Sequence, residues 1–151
     1  MNVTDENSKR DSTIIDSGCW VDGCNTLPKL FLKKSREWDQ KVAMREKDFG
    51  IWQSYTWENY RERASDVAYG LLSLGLQSGD VVSILSEDCK EWVFADLGIM
   101  LCAGVVNGIY PTYQKNQVAY TLGDSSSRFL FVEDEEQLDK YLTVESELPY
   151  L

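Results

Sequence analysis

The chain has 151 residues, 43% of them apolar, and a formal charge of −10 at pH 7 with no histidine. That length holds one domain and little more, and the five Trp, eight Tyr and five Phe give a globular composition rather than a disordered one. The charge is uneven: residues 1–75 carry 11 basic and 12 acidic groups, residues 76–151 carry 4 and 13, and no basic stripe is present to neutralise phosphates. Nucleic acid is therefore excluded as a partner. Without histidine there is no Ser-His or Cys-His nucleophile pair, no HExxH zinc site and no imidazole acid or base.

Residues 1–25, beginning MNVTDENSKR, read as a flexible leader. They contain no apolar core of 7 to 15 residues, as a signal peptide would need. Asn2-Val3-Thr4 matches the glycosylation sequon, which means nothing without secretion. Cys19 and Cys24 have four residues between them in this polar stretch, with no second pair to complete a metal site. A reducing, cytoplasmic setting fits the cysteine usage best.

The ordered domain, residues 26–151, is expected to start at Thr26, a helix cap with Pro28 in the first turn and the helix ending near Trp38. Val42 to Glu46 and Trp52 to Thr56 are short strand candidates around a turn at Asp48-Phe49-Gly50. That tripeptide also spells the kinase magnesium motif, but no HRD and no glycine-rich loop accompany it. Thr56 starts a long helix reaching about Leu74, with Gly75 as its stop. Tyr60, Ala64, Val67, Ala68, Leu71 and Leu72 form an apolar stripe suited to packing on a sheet, while Glu58, Glu62, Arg63 and Asp66 make a solvated face.

Ser78-Gly79-Asp80 turns the chain into the segment on which the rest is organised. Val81 to Leu85 is a β-branched run without alternation, which suits a strand covered on both faces. Asp88 to Ala103 has length for four helical turns and apolar residues around most of its circumference, with Cys89 and Cys102 inside it as small hydrophobes. Val105 to Ile109 is a second buried strand. A membrane helix over Trp92 to Val106 is disfavoured, because the run is shorter than the roughly 18 to 20 residues a bilayer needs and Asp96 would lie near mid-span. Two strands joined by such a helix are parallel. Lys115 to Leu122 then reads as a helix stopped around Gly123, Ser125-Ser126-Ser127 as a turn, and Arg128 to Val132 as a third buried strand. Glu133-Asp134-Glu135-Glu136 opens a last helix reaching about Leu142, where acids complement the helix dipole and need no metal. The fold class is α/β: an incomplete doubly wound, mostly parallel sheet with helices on both faces.

The order of pieces resembles the N-terminal part of the AMP-forming acyl-activating (adenylate-forming) enzymes, most closely the long-chain fatty-acid–CoA ligases. The resemblance rests on Tyr55-Thr56-Trp57, Gly75-Leu76, Gly79-Asp80-Val81-Val82, Glu91-Trp92, Ala95-Asp96-Leu97-Gly98, Ala103-Gly104, Tyr110-Pro111-Thr112, Gln117-Val118 with Tyr120, and the run Phe131 to Leu138. It covers residues 26–150 and implies a parent enzyme that joins a fatty acid to coenzyme A through an acyl-adenylate, using ATP and magnesium. It implies cytoplasmic residence compatible with peripheral attachment to membranes, and no transmembrane segment. The family's Ser/Thr/Gly-rich phosphate loop with lysine, its ribose-binding aspartate and its late lysine have no match here. The chain is therefore expected to be an inactive fragment, with no catalytic, cofactor-binding or metal residue assigned and with sheet edges open to self-association. Tyr110-Pro111-Thr112 is the loop to watch, since it leaves the carboxyl end of a strand.

Two other classes compete. A small standalone Rossmann-like nucleotide-binding or receiver-type module would use Ser86-Glu87-Asp88 after the first sheet strand, although these residues are also natural helix caps. A non-catalytic interaction domain is the other.

Overall fold

The computed structural model describes residues 20–151, so Cys19, the sequon and most of the expected leader lie outside the described residues. Trp20 to Asn25 were expected to belong to that leader, but they form a turn tied to the first helix. Val21 and Cys24 pair in an isolated bridge, Lys33 donates to the Asp22 carbonyl at 2.7 Å, and Lys34 is ion-paired with the Asp22 carboxylate. Helix α1 spans Leu27–Trp38, with the Thr26 hydroxyl accepting the Lys29 N–H. A hairpin follows, β1 (Val42–Asp48) and β2 (Ile51–Thr56), antiparallel and separate from the main sheet. Phe49 and Gly50, both at positive φ (45° and 83°), make its two-residue loop, the sign pattern of a type I′ turn.

Helix α2 runs Trp57–Ser73 from a capping box in which Thr56 accepts the Asn59 N–H and Asn59 accepts the Thr56 N–H. It ends as Gly75 allowed, in a Schellman motif: at φ 90° Gly75 donates to Leu72, and Leu76 donates to Leu71 at 3.0 Å. The stripe read from its sequence divides. Val67 and Leu71 join the cluster on the sheet, whereas Tyr60 and Ala64 pack among Phe31 of α1, Trp57, and Phe94 and Leu97 of the next helix. Leu72 is half exposed. Thus α2 packs principally on another helix rather than on the sheet.

That helix is α3 (Lys90–Leu101), between β3 (Val81–Leu85) and β4 (Val105–Ile109). Its all-round apolarity has a direct cause: Trp92, Ala95 and Ile99 face the sheet while Val93, Phe94, Leu97 and Met100 face α2, α1 and the hairpin. Two corrections concern its ends. The N-cap is Cys89, with no side-chain bond, so Ser86-Glu87-Asp88 do not cap it; Cys89 and Cys102 flank the helix and are only partly buried. Ala103 takes the left-handed C-terminal position at φ 58°, and Gly104 donates to Ile99.

Helix α4 (Lys115–Asp124), β5 (Phe129–Val132) and α5 (Glu135–Val144) complete the order. Gly123 lies inside α4; the stop comes at Ser126, which adopts φ 52° while Ser127 donates to Leu122. The sheet is parallel with order β4-β3-β5. Val82, Ile84, Phe129 and Phe131 lie under α3, and Leu85, Leu130, Val132 and Ile109 lie under α4 and α5. Both faces of β3 are covered, as a central parallel strand requires, whereas β4 and β5, expected as buried strands, are edge strands only partly buried, with Val105 half exposed. One polar patch sits within the second face. Ser83 Oγ is 2.6 Å from Ser127 Oγ, and Asn107 Nδ2 donates to Ser83 Oγ at 2.9 Å, so every hydroxyl in this buried group has a partner.

Two predictions follow from α3. A methyl group on Gly98 would stand 2.6 Å from Val67 Cγ1 and 2.9 Å from the Ala64 carbonyl oxygen. Val67 is stiff and a backbone oxygen cannot turn aside, so Gly98→Ala should lower stability by about 1–3 kcal/mol in denaturant titration, despite alanine's better helix propensity. Burial holds the Asp96 carboxyl above the ordinary 3.8. A raised carboxyl pKa favours the folded chain below that ordinary value and loses its contribution as pH climbs through the folded pKa. Asp96→Asn should therefore melt higher than the parent chain at pH 7, with the gap closing as pH falls through the ordinary carboxylate range.

Candidate functional site

All three parallel strands point their carboxyl ends at one side of the domain, where the loops Ser86–Cys89, Tyr110–Gln114 and Glu133–Asp134 gather. Ligand sites in open α/β sheets lie at such an end. Here the three loops are tied together by side chains rather than by the ladder. The Glu133 carboxylate accepts the Glu87 N–H at 2.7 Å and the Ser86 hydroxyl at 3.3 Å, clamping the β5 loop onto the β3 loop. Ser86 Oγ also lies 3.5 Å from Cys89 Sγ. Lys140 of α5 donates to the Pro111 carbonyl at 2.6 Å and to Gln137 Oε1 at 3.0 Å, and pairs with Glu136. The β4 loop is thereby clamped to α5. Its residues make a turn in which Tyr113 N–H donates to the Tyr110 carbonyl, with the two rings 5.6 Å apart and Tyr110 exposed.

Beside these loops lies a cleft of about 370 Å³, lined by Ser86, Cys89, Trp92, Phe131 and Glu133. Lys90 ties two acids of its lining, bonding Glu46 at 2.7 Å and Glu91 at 2.9 Å. The Glu46 bond, then the Glu91 bond, push the Lys90 pKa upward, so the ammonium is fixed as a charge and does not serve as a base. A larger groove of about 670 Å³ runs between α1 and α2, but its Arg61 is already held by the Ser35 carbonyl (2.8 Å) and Asp39 (3.0 Å).

The acidic run expected at the start of the last helix divides its tasks. Glu133 stays outside α5 and holds the β3 loop, Asp134 caps the helix by accepting the Gln137 N–H at 2.9 Å, and Glu135 and Glu136 occupy its first turn. Among the described residues no three His, Cys, Asp or Glu side chains converge in a set that could hold a metal. Ser125-Ser126-Ser127 belongs to the helix stop and the polar patch in the core, not to a loop open to phosphate. Glu87 and Asp88 are exposed at the carboxyl end, and Asp48-Phe49-Gly50 is a hairpin turn. What the site presents is an acidic, aromatic rim in which the carboxylate that meets the Ser86 hydroxyl, Glu133, is already held by the Glu87 N–H. Sequence reasoning missed Glu133 and Lys140 as clamps, since each bond spans loops far apart in the chain. It also missed Ser83 and Asn107, although two polar residues at matching register in apolar strands were a visible signal.

The order of elements, the covered parallel sheet and the clamped carboxyl end can now be set beside known proteins. A family model described as AMP-binding enzyme matches residues 31–149. The chain belongs to the AMP-binding enzyme family. Among AMP-binding relatives, it is 30% identical over 130 residues to the long-chain-fatty-acid–CoA ligase heimdall of Drosophila melanogaster, a match covering 83% of this chain and 19% of that protein. It is likewise 30% identical over 126 residues to the long-chain-fatty-acid–CoA ligase ACSBG2 of Xenopus laevis, covering 83% and 17%. The chain thus spans about a fifth of the length of the curated relatives it matches. The anthranilate CoA ligase AuaEII with anthranoyl-AMP superposes with a TM-score of 0.75 at 25% identity, over 82% of this chain and 23% of that one. The putative long-chain-fatty-acid CoA ligase of Rhodopseudomonas palustris CGA009 shares the fold at a TM-score of 0.73 and 23% identity, over 83% of this chain and 31% of that one.

Lys140→Met keeps the apolar stem and removes the donor to Pro111. Losing this one bond should speed hydrogen exchange of the Tyr113 amide about fivefold, corresponding to about 1 kcal/mol, with little change in the melting midpoint. An unchanged exchange rate would show that the turn does not need the clamp.

Proposed function

We propose that this chain is the N-terminal part of a ligase that activates a long-chain fatty acid with ATP to an acyl-adenylate and passes the acyl group to coenzyme A. The observation that carries the reading is the match to long-chain fatty-acid–CoA ligases along 83% of the chain, at 30% identity. In the whole protein the parallel sheet would continue into a doubly wound one. ATP, magnesium, coenzyme A and the acyl chain would then be held by residues outside this sequence. The described acids do not converge in a magnesium site: Glu133 is occupied by the Glu87 N–H, Asp134 by its own helix, and no three acids gather among the described residues. The role left to this chain is positional: α3 and the two clamps hold the strand ends, and the Tyr110–Tyr113 turn with them, in one arrangement.

The same reading places the parent enzyme in the cytoplasm, in keeping with Cys24, Cys89 and Cys102 as free thiols. No helix of the described residues is long and apolar enough to cross a membrane. In isolation the chain would self-associate through the open edges of β4 and β5.

The test has two arms. The whole protein carrying this sequence should release pyrophosphate from ATP in a palmitate- and magnesium-dependent manner and form palmitoyl-CoA when coenzyme A is added. The 151-residue chain alone should release none. Pyrophosphate release by the chain alone would overturn the positional role, and a whole protein inert towards every fatty acid would overturn the ligase reading.

A further inference from the structure

The outward flank of helix α5 carries a surface that neither the core nor the loop clamps use. At about 100° per residue, Glu135, Leu138, Asp139, Leu142 and Glu145 fall within an arc of about 120°. The core side of the helix lies elsewhere on its circumference: Gln137 and Val144 are buried, Tyr141 packs on the core cluster, and Lys140 turns to the β4 loop. Leu138 and Leu142, one turn apart, are 39% and 50% exposed. They form a second apolar pair that folding leaves in water.

Charge on the same flank runs against local chemistry. Residues 133–147 hold seven acids and one base, a net of −6 in a chain whose total is −10. Glu133, Asp134 and Glu136 are engaged by the loop clamp, the helix cap and Lys140. Glu135, Asp139 and Glu145 have no ion pair among the described residues. Glu135 and Asp139 stand at i and i+4, a spacing at which like charges repel. Glu145 closes the helix at the end where the backbone dipole favours a cation, and the last turn has no basic residue. The helix by itself would select lysine or arginine there, so acids beside exposed leucines point to a partner that supplies the cations.

We propose that this flank docks a basic amphipathic helix of another protein, whose apolar stripe covers Leu138 and Leu142 while its lysines or arginines meet Glu135, Asp139 and Glu145. Amphipathic helices are recognised in this way, through apolar anchors at helical spacing with charges beside them. An anionic partner is repelled, because no residue of the flank is basic. The inference does not rest on the ligase reading, since it uses α5 alone.

Fluorescence-anisotropy titration of a labelled synthetic helix, built of leucine and lysine alone with the leucines on one face, tests it. The 151-residue chain and the whole protein carrying it should both bind this probe at low salt, and high salt should weaken the binding. A peptide of the same composition with its leucines scattered around the circumference should bind about tenfold less. Leu138→Ser with Leu142→Ser should weaken binding about 10- to 30-fold, through the leucine surface lost. Asp139→Asn with Glu145→Gln should weaken it about tenfold, about threefold for each charge. That variant relieves two unfavourable charges, so it should also melt higher than the parent chain; the opposite movement separates docking from folding. Glu62→Gln with Asp66→Asn, exposed acids of α2 or its edge, should leave binding unchanged. No binding, equal binding by the flank variants, an equal loss in the α2 control, or equal binding of the scattered peptide would overturn the proposal. So would binding by the chain alone and not by the whole protein, which would assign the flank to the rest of the same polypeptide. A sedimentation-velocity dimer that the flank changes dissolve without altering peptide binding would overturn it too.

Discussion

The burial of α3 on two sides is the constraint on which the rest of the domain depends. One side of the helix seals β3, β4 and β5 through Trp92, Ala95 and Ile99; the other receives α2, α1 and the hairpin through Phe94 and Leu97. A helix with water on neither flank has no use for a polar face, which is why its sequence is apolar almost all round and why Asp96 within it holds its proton more tightly than usual. Gly98 brings α2 close enough for Val67 and Ala64 to meet the α3 backbone. The layers are therefore α1 and hairpin, then α2 with α3, then sheet, then α4 and α5.

From that stack the carboxyl end of the sheet acquires its form. Strands fix where the three loops start, but Glu133 and Lys140 fix how the loops lie with respect to each other. Charge-assisted bonds to backbone groups are stronger than neutral ones and directional. Glu133 and Asp134 are consumed by architecture, and no metal-binding set gathers among the described residues.

The fold was legible where local chemistry and burial agree. Thr56, Gly75, the β-branched run from Val81 and the apolar helix after it all pointed to the elements found, and the resemblance to acyl-activating enzymes was carried by pieces that the family match spans. What failed was long-range or conformationally costly. Ala103 and Ser126 take left-handed stops that residue type alone does not announce, and Gly123 misled because a glycine in a final turn is tolerated as well as terminating. The stripe on α2 gave its buried face but not its neighbour, since an apolar stripe packs equally well on a helix or a sheet. Of the site, Tyr110-Pro111-Thr112 was legible as a strand-end turn; its clamp was not, because Lys140 lies 29 residues away in sequence.

Native-state hydrogen exchange on the full chain tests the central claim most directly. If α3 joins both halves of the domain, the amides of Phe94 to Ile99 and of Val82 to Leu85 exchange together and slowest, through global unfolding alone, while the hairpin amides open locally and faster. Amides of α3 exchanging as fast as those of the hairpin, with β3 still protected, would contradict the account.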